Sequence, residues 1–382
     1  MKFFSNTEKA IFLSRPNRFT VKCELKGKIV KAYLPNPGRL LELLLPGTIV
    51  HLEDARAPHR ALPFTAVAVE RDDCLVMLHT HKTNDAAQYL LEKKAIKGLK
   101  DCEVLRREVT KGRSRFDFLL KRGDREVVLE VKSCTLFSER MAMFPDAVTT
   151  RGRRHVEELA GLAKKGTCGA VLFFVHSPKP QLFLPEFHTD LEFSKALYGA
   201  KERISIFPIA VKWNRDYSMD VKEVKPLKLP WRIVKREAHD RGSYLFLLKL
   251  RKKAFIKVGG LGDISLRKGY YIYVGSARKN LLKRLERHKR QRKKAFWHID
   301  YLRATADVHA LLPILTEDDL ECHVARSIRN FADWEIPSFG SSDCSCPSHL
   351  FGTENDPLAN PQFHKILQYY RMERLIEKYN VL

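Results

Sequence analysis

The sequence predicts a multidomain protein in which an all-β module precedes two α/β domains. The first observation is length, because 382 residues exceed what one ordinary hydrophobic core accommodates. The second is patterning, since short strand-like segments fill residues 1–83, whereas helical and strand-like segments alternate over 84–221. The third is a charged segment with two prolines at 222–241, which predicts an extended linker before a last domain at 242–382.

Five strand-like segments make up most of the first module, and glycine, proline and aspartate residues indicate the turns between them. They occupy residues 19–25, 28–34, 48–52, 64–69 and 74–78. Five short strands in sequence predict a small closed barrel. Arg18 and Arg39 are candidate phosphate contacts, although isolated basic residues on a barrel are more often simply solvated.

Residues 114–133 predict a β-hairpin that carries a candidate metal site. If Gly123 and Asp124 form its two-residue turn, Asp117 lies opposite Glu130. Directly opposed like charges destabilise a sheet unless a cation lies between them, so the pair suggests a divalent metal. The two-residue period places Lys132 on the same face as Glu130, where its ammonium group can activate water or stabilise charge on a phosphate.

The alternative for this hairpin is a solvated sheet edge with charged residues. The Glu-x-Lys pattern alone is uninformative, because it recurs at Glu24, Glu92 and Glu223. What distinguishes the copy at Glu130 is the register-matched Asp117 across the turn.

The segments around the hairpin predict a mixed sheet with helices. Residues 84–97 have helical spacing, 103–109 and 170–175 are strand-like, and Asp146 or Thr149 can cap a helix that runs to about residue 166. On that helix Arg151 and His155 lie one turn apart, which suits contact with phosphate. A solvated helical face is the commoner explanation for such a pair.

Three segments closely resemble the sugar fermentation stimulation protein (SfsA) family: SRFDF at 114–118, EVKSCTL at 130–136 and FPDAVTTRGRRH at 144–155. The resemblance implies a PD-(D/E)XK nuclease core with Asp117, Glu130 and Lys132 in the positions of the catalytic signature. It also implies that Glu108 is an additional carboxylate near the metal, although a charged edge-strand residue explains Glu108 equally well. The expected metal is Mg²⁺ or Mn²⁺.

The resemblance extends to the first module through Arg18-Phe19 and the segment PNPGRL at 35–40. It implies that the predicted barrel is an OB-fold that binds nucleic acid. The family usually has Asn-Thr-Gly where this chain has Asn36-Pro37-Gly38, which keeps the turn but removes a hydroxyl and an N–H group.

The last domain predicts a small sheet from strand-like segments at 242–250, 254–258 and 270–275. Asn280 then caps a predicted helix, 281–290, on which Arg284 and His288 lie one turn apart. Ten Lys and Arg residues against one acid over 278–294 suggest a surface that follows phosphates, with a solvated face as the alternative.

This domain resembles an uncharacterised branch of the GIY-YIG endonuclease superfamily, through GSY at 242–244 and YVG at 273–275. The resemblance implies that Tyr244 and Tyr273 orient water and that Arg284 offsets charge on the attacked phosphate. Glu321 is the candidate metal ligand, although a glutamate on a polar helix face usually has no such role. The alternative is a domain that only binds nucleic acid.

A compact set of potential zinc ligands follows near the C-terminus. Cys344, Cys346 and His349 lie close in sequence, and Cys322 is available as a fourth donor. The spacing is not that of a familiar zinc finger, so free thiols in a tight turn are the alternative. The stretch also resembles the GIY-YIG-like branch, which supports membership without establishing a metal.

The amino-acid composition limits the classes of binding partner. The formal charge of +24, from 69 basic and 45 acidic residues, favours a polyanion such as DNA or RNA. The apolar segments are shorter than the ~20 residues of a membrane-spanning helix, so we expect no membrane partner and a cytoplasmic location. The sequence indicates no oligomeric state.

These observations predict a metal-dependent nuclease that hydrolyses phosphodiester bonds of DNA or RNA. The competing hypothesis is a non-catalytic DNA-binding regulator of sugar metabolism genes, which the family name and the basic charge also allow. Asp117, Glu130 and Lys132 argue against it, because a protein that only binds gains nothing from paired acids that face a polyanion.

Overall fold

A computed structural model describes residues 1–54, 61–163 and 166–381. They form two compact units: Met1–Val234 with Val381, and Lys235–Asn380. None of the helices in these residues is long and apolar enough to span a bilayer.

A five-stranded OB-like barrel opens the first unit, as predicted. Its strands, with one further strand, are β1 (Thr7–Asn17), β2 (Thr20–Leu25), β3 (Lys28–Tyr33), β4 (Ile49–Asp54), β5 (Phe64–Arg71) and β6 (Cys74–Met77). The sheet order β3-β2-β1-β4-β5 closes because β3 also pairs with β5, in parallel. Alternating residues fill the interior, such as Val21 and Cys23 on β2.

The identity of the fifth barrel strand was predicted wrongly. The barrel uses β1, which the sequence analysis did not include, whereas β6 extends the sheet beyond the closure by pairing with β5. The signal in β1 is weak because its apolar run is only four residues long, Ala10 to Leu13, and charged or polar residues lie on both sides of that run.

A mixed sheet with helices completes the first unit, as predicted. Its elements are α1 (Thr80–Glu92), β7 (Glu103–Lys111), β8 (Ser114–Arg122), β9 (Arg125–Cys134), β10 (Leu136–Phe137), β11 (Met141–Phe144), α2 (Thr150–Ala163), β12 (Cys168–Val175), β13 (Leu182–Pro185), α3 (Leu191–Ala200), β14 (Ser205–Ala210) and β15 (Lys225–Pro226). The main sheet has the order β15-β14-β12-β9-β8-β7, and β9, β12 and β14 are parallel. Helix α2 begins after Thr149, whose Oγ1 accepts a hydrogen bond from the Gly152 N–H at 3.0 Å.

The segment predicted as an extended linker is structured. Lys225 and Pro226 of β15 pair with β14 at the edge of the sheet, where the missing N–H of proline is tolerated. Helix α4 (Trp231–Glu237) follows, and the division between the two units falls within it. The prediction of an extended connection is therefore wrong for these residues.

A second sheet and several helices form the second unit. The elements after α4 are β16 (Gly242–Leu250), β17 (Ala254–Val258), β18 (Gly262–Leu266), β19 (Gly269–Ala277), α5 (Leu281–Lys289), α6 (His298–Thr305), β20 (Asp307–Leu315), α7 (Glu321–Arg329), β21 (Trp334–Glu335), β22 (Leu350–Thr353), α8 (Pro361–Gln368) and α9 (Arg374–Tyr379). The sheet has the order β20-β16-β19-β22-β21, and β17 pairs with β18 in a separate sheet rather than with its neighbours as predicted.

The cap of α5 also differs from the prediction. Asn280 has a left-handed backbone (φ 55°), and its side chain makes no capping bond. Asp240 takes that role, because its Oδ1 accepts a hydrogen bond from the Leu282 N–H at 2.8 Å.

Gly275 allows the ring of Tyr244, its cross-strand partner, to lie against β19. A Cβ atom at this position would clash with the hydroxyl oxygen and ring of Tyr244. We expect Gly275→Ala to lower the free energy of unfolding of this unit by about 1–3 kcal/mol, because the buried ring has to move. Thermal or urea unfolding measures it, and Gly260→Ala is the control, because a Cβ atom there meets no atom within 4 Å. Equal stability of the two variants would contradict the packing argument.

Candidate functional site

The predicted hairpin forms with the predicted register. Arg122 pairs with Arg125 across the two-residue turn, and the pairing continues to Phe118 opposite Leu129. The backbone pairing ends there. At the next position the side chain of Asp117 contacts the partner strand, where its Oδ2 accepts a hydrogen bond from the Val131 N–H at 2.7 Å. The carboxylates of Asp117 and Glu130 therefore lie where the two strands begin to separate.

Asn84 of α1 holds the other oxygen of Asp117. Its Nδ2 donates to Asp117 Oδ1 at 2.7 Å, so each oxygen of this carboxylate accepts one hydrogen bond. Asn84 was not among the predicted site residues. Its signal is a polar residue on the stripe of α1 that also carries the buried Ala87 and Leu91.

One oxygen of Glu130 is occupied and the other is not. Oε1 lies 2.5 Å from Lys132 Nζ and 2.6 Å from His155 Nδ1. Oε2 is buried and has no hydrogen-bond partner in the part of the chain that the structure describes. A buried acceptor without a partner is costly, so an additional ligand is expected at Oε2.

The tautomer of His155 follows from its neighbours. Arg151 Nε, which can only donate, faces His155 Nε2 at 3.4 Å. Nε2 is therefore the acceptor, and Nδ1 carries the proton that is donated to Glu130. His155 is 1% exposed, so the prediction that it contacts nucleic acid directly is corrected to a role in holding Glu130.

Burial and charge separate the pKa values of the two acids. Burial, then the nearby Glu130 carboxylate, raise the pKa of Asp117 to about 6. Burial also opposes ionisation of Glu130, but Lys132 and the hydrogen bond from His155 outweigh it and lower the pKa of Glu130. The site thus holds one stable carboxylate beside a second acid whose charge is destabilised. A bound cation would stabilise the charged form of this second acid, Asp117.

The two acids line a cleft of about 310 Å³. The mixed sheet supplies Asp117, Glu130, Lys132 and Ser133, whereas the barrel supplies Arg18 and the loop 36–38. Both predicted modules of the first unit therefore contribute to one candidate site.

A buried aspartate joins the barrel loop to the cleft. Asp146 Oδ2 accepts the Leu40 N–H at 3.2 Å, and a Cβ atom at Gly38 would clash with the Asp146 carboxylate. Asp146 therefore anchors this loop, whereas Thr149 accepts the hydrogen bond that caps α2. Arg15 holds the same loop by donating to the carbonyl oxygens of Arg39 at 2.6 Å and Asn36 at 3.2 Å.

Ser133 is a further polar residue of the cleft that was not among the predicted site residues. Trp213 Nε1, which can only donate, lies 3.0 Å from His176 Nδ1, so this nitrogen accepts. Burial lowers the pKa of His176 to about 3, which keeps the ring neutral with its proton on Nε2. Nε2 donates to Ser133 Oγ at 2.9 Å and leaves the Ser133 hydroxyl hydrogen available to another acceptor.

Three other predicted residues, Glu108, Arg39 and Arg151, do not line the cleft. Glu108, on β7 between positions paired with Phe116 and Phe118, is exposed and forms an ion pair with Arg115; it does not line the cleft. Arg39 is exposed, as is Arg151. Arg18 is exposed at the cleft itself, where its Nε donates to the Pro37 carbonyl oxygen at 2.9 Å.

The second unit contains its own cleft, of about 330 Å³, which brings together the four residues predicted there. Tyr244 and Tyr273 lie on one face because the register pairs Tyr244 with Gly275. Arg284 donates to the Ser276 carbonyl oxygen, and its guanidinium lies 4.9 Å from the ring centroid of Trp297.

Glu321 is held from two sides. Ser276 Oγ donates to Glu321 Oε2, and His349 Nδ1 lies 2.9 Å from Glu321 Oε1. The side chain remains 23% exposed at the cleft.

His288 does not lie on an exposed basic surface. It is 1% exposed, and its Nε2 lies 2.9 Å from the Tyr244 hydroxyl, while Nδ1 faces Asp300 Oδ1 at 3.6 Å. Burial lowers the pKa of His288 and raises that of Tyr244. The predicted contact between His288 and nucleic acid is corrected: this histidine is a buried partner of the Tyr244 hydroxyl.

The four potential zinc ligands also come together. One donor atom from each of Cys322, Cys344, Cys346 and His349 lies within 4.8 Å of the others. They belong to the first turn of α7 and to the loop that leads into β22.

Comparisons with family models divide the chain in the same order as its folded modules. A model described as "SfsA N-terminal OB domain" matches residues 13–78, and "Sugar fermentation stimulation protein RE domain" matches 81–217. Residues 243–372 match "Domain of unknown function DUF123".

Individual proteins agree with these matches. The sugar fermentation stimulation protein homolog of Methanothermobacter thermautotrophicus is 37% identical over 227 residues, which are 59% of this chain and 95% of that protein. The homolog of Clostridium kluyveri is 38% identical over 204 residues, 53% of this chain and 88% of that protein. The solved structure of Pyrococcus furiosus SfsA in complex with Ca²⁺ aligns with a TM-score of 0.56 at 27% identity, over 60% of this chain and 98% of that one.

The paired acids predict an unusual titration. In the presence of EDTA, the carboxyl carbon of Asp117 should titrate with a midpoint near pH 6, which NMR of selectively labelled protein measures. The folded-state pKa of Asp117 lies above its ordinary value. The contribution of Asp117 to the free energy of unfolding should therefore fall as the pH rises towards this midpoint. Glu130→Gln should lower the midpoint, because it removes the neighbouring charge. A midpoint near 4 that Glu130→Gln leaves unchanged would contradict the coupling.

Proposed function

Because the chain belongs to the SfsA family, we propose that its first unit is a divalent-metal-dependent nuclease of the PD-(D/E)XK type that acts on DNA or RNA. The observation that carries the proposal is the buried Glu130 carboxylate, whose Oε2 has no partner among the described residues while its Oε1 is held by Lys132 and His155.

The donor set fits a hard divalent cation. Carboxylate oxygens are the preferred ligands of Mg²⁺ and Mn²⁺, and both Asp117 and Glu130 face one cleft. Neutralising two adjacent carboxylates would offset the electrostatic cost that raises the pKa of Asp117. The Ca²⁺ complex described for the P. furiosus relative involves a cation with the same preference for oxygen ligands.

A divalent cation held by Asp117 and Glu130 would supply Lewis-acid stabilisation of the phosphate and would activate water for attack. The protein residues supply the rest. Lys132 has three ammonium protons, of which one is directed to Glu130, so the others can orient an attacking water or contact a phosphate oxygen. Ser133 can donate a hydrogen bond from its hydroxyl group to another phosphate oxygen. His155 holds Glu130 in position while these contacts form.

The barrel supplies features suited to a nucleic-acid strand. Arg18 lies at the cleft, and the adjacent Phe19 is 45% exposed with the Arg18 guanidinium 5.8 Å from its ring centroid. An exposed aromatic ring beside a cation offers a base a stacking surface next to a phosphate contact. The proposed path of the substrate therefore runs from Phe19 past Arg18 to the carboxylates.

A DNA-binding regulator remains the competing function. It requires the same basic residues but gives no role to a buried pair of acids beside a lysine. The buried pair lowers affinity for a polyanion and costs stability, which favours catalysis over binding alone.

A second candidate function concerns the second unit. We infer that it is a GIY-YIG-like nuclease domain, because Tyr244, Tyr273, Arg284 and Glu321 line one cleft although they come from separate elements. The contact between His288 and the Tyr244 hydroxyl gives that tyrosine a proton acceptor, and Arg284 supplies positive charge. Phe296, 76% exposed at the same cleft, offers a stacking surface.

Substitution of either acid tests the first site. Asp117→Asn and Glu130→Gln should each reduce Mg²⁺- or Mn²⁺-dependent cleavage by at least about 100-fold, because metal-ion catalysis contributes several kcal/mol. Binding should persist or tighten, since a charge that repels phosphate is lost. A panel of labelled single- and double-stranded DNA and RNA, with each metal or EDTA, measures both properties.

Glu126→Gln is the matched control, because Glu126 is an exposed carboxylate on the same strand. Cleavage by both site variants at the wild-type rate would exclude the site. Tight binding without cleavage of any substrate in the panel by the wild type would favour the regulator.

The second site is tested where the first is inactive. In the full chain carrying Glu130→Gln, residual metal-dependent cleavage should fall on adding Tyr244→Phe, Arg284→Ala or Glu321→Ala, and binding should survive Glu321→Ala. Lys252→Ala is the control, because this exposed lysine does not line the cleft. A folded Glu130→Gln protein that binds nucleic acid but cleaves nothing with any metal would show that the second unit only binds.

A further inference from the structure

The cysteine and histidine cluster of the second unit has the dimensions of a closed metal site. The three sulfur atoms and a ring nitrogen of His349 lie within 4.8 Å of one another. In a tetrahedral zinc site with Zn–S bonds near 2.3 Å and Zn–N bonds near 2.0 Å, the donor atoms are about 3.5–3.8 Å apart. Cys344 Sγ and His349 Nε2 are already 3.5 Å apart. Small side-chain adjustments suffice to place an ion among the four donors.

The elements that carry these donors are fixed by the fold. Cys322 lies in the first turn of α7, so the helix fixes the position of its backbone. His349 is 1% exposed, and its backbone is held because its N–H donates to the Phe339 carbonyl at 2.8 Å and its carbonyl accepts from the Val274 N–H at 2.9 Å. The cluster therefore joins α7 and β19 to a long loop with little regular structure.

We propose that Cys322, Cys344, Cys346 and His349 bind one structural Zn²⁺, and that this ion positions Glu321 through the ring of His349. Three thiolates and an imidazole are soft and borderline ligands that select zinc over Mg²⁺ or Mn²⁺. Four protein ligands leave no open coordination position, which is the arrangement of a structural rather than a catalytic zinc site.

The imidazole ring of His349 connects the proposed ion to Glu321 through its two nitrogen atoms. Nε2 faces the sulfur atoms, and Nδ1 lies 2.9 Å from Glu321 Oε1. A metal on Nε2 requires the remaining proton to be on Nδ1, which then donates to the carboxylate. Glu321 Oε2 accepts from Ser276 Oγ, so the carboxylate is held at both oxygens while its edge faces the cleft.

This proposal is independent of whether the second cleft cleaves or only binds. Glu321 and Cys322 are neighbours at the start of α7, so the ion fixes the backbone on one side of Glu321 and the imidazole fixes its carboxylate on the other. A glutamate on a polar helix face is thereby turned into a side chain of defined orientation.

Metal content of the full-length protein, purified without a metal-affinity tag, tests the ion. We expect about one zinc per chain by elemental mass spectrometry, lost in Cys344→Ser and Cys346→Ser but retained in Cys74→Ser and Cys168→Ser. The control cysteines belong to the first unit and lie outside the cluster. Replacement of zinc by Co²⁺ should produce the intense visible absorption of a tetrahedral thiolate site.

Three results would overturn the zinc site: wild-type protein that neither contains nor binds zinc, zinc content that Cys346→Ser leaves unchanged, or a disulfide between cluster cysteines in freshly purified protein. The first and third results are measured on the wild-type protein, so they would overturn the proposal even if the variants fold poorly.

The positioning role of the ion has a separate test. Glu321→Ala should weaken zinc binding about 10–100-fold in competition with a chelator, because the partner of a ligating histidine is lost. Glu321→Gln should weaken it less, since its amide oxygen still accepts from Nδ1. ¹⁵N NMR, assigned with His349→Gln, should show a protonated Nδ1 and a metal-bound Nε2. The opposite tautomer, or unchanged affinity in Glu321→Ala, would overturn the link while leaving the zinc itself in place.

Discussion

The burial of two carboxylates side by side is the constraint around which the first unit is built. Asp117 and Glu130 lie where β8 and β9 separate, and Glu130 is 4% exposed. Isolated charges in such a place are expensive, so compensation must come from nearby. It comes from three directions: a backbone N–H of β9, Asn84 of α1, and the cationic and hydrogen-bonding groups of Lys132 and His155. Among the described residues Glu130 Oε2 is left without a hydrogen-bond partner, and this oxygen is the one that we expect a cation to bind.

The cleft also explains how the barrel and the mixed sheet are joined. Asp146, from the segment before α2, reaches a backbone N–H of the barrel loop, and Gly38 leaves the space that its carboxylate occupies. Arg15 fixes the same loop from the barrel side through backbone carbonyl groups. This contact therefore joins the barrel loop to the mixed sheet at the cleft that contains the two acids.

Local sequence patterns predicted most of the elements of this protein, whereas most of its long-range contacts could not be predicted. The turn at Gly123-Asp124 was enough to derive the register that brings Asp117 and Glu130 together, because a two-residue turn leaves no freedom in a hairpin. Patterning likewise predicted the barrel and the mixed sheet. The choice of β1 over β6 for barrel closure depends on a pairing between β3 and β5 that no local signal encodes. For the same reason Asn84, Ser133 and His176 were not identified as neighbours, and the burial of His155 and His288 was not foreseen.

The chain of hydrogen bonds from Trp213 through His176 to Ser133 has a fixed direction, because tryptophan can only donate. Ser133 therefore offers a hydrogen-bond donor to the cleft that the Asp117 and Glu130 carboxylates also line. A cleft with both a donor and carboxylates is complementary to an anion and a cation that bind side by side. Because the two bound ions attract each other, each should raise the affinity of the other, and by reciprocity the two binding equilibria are linked.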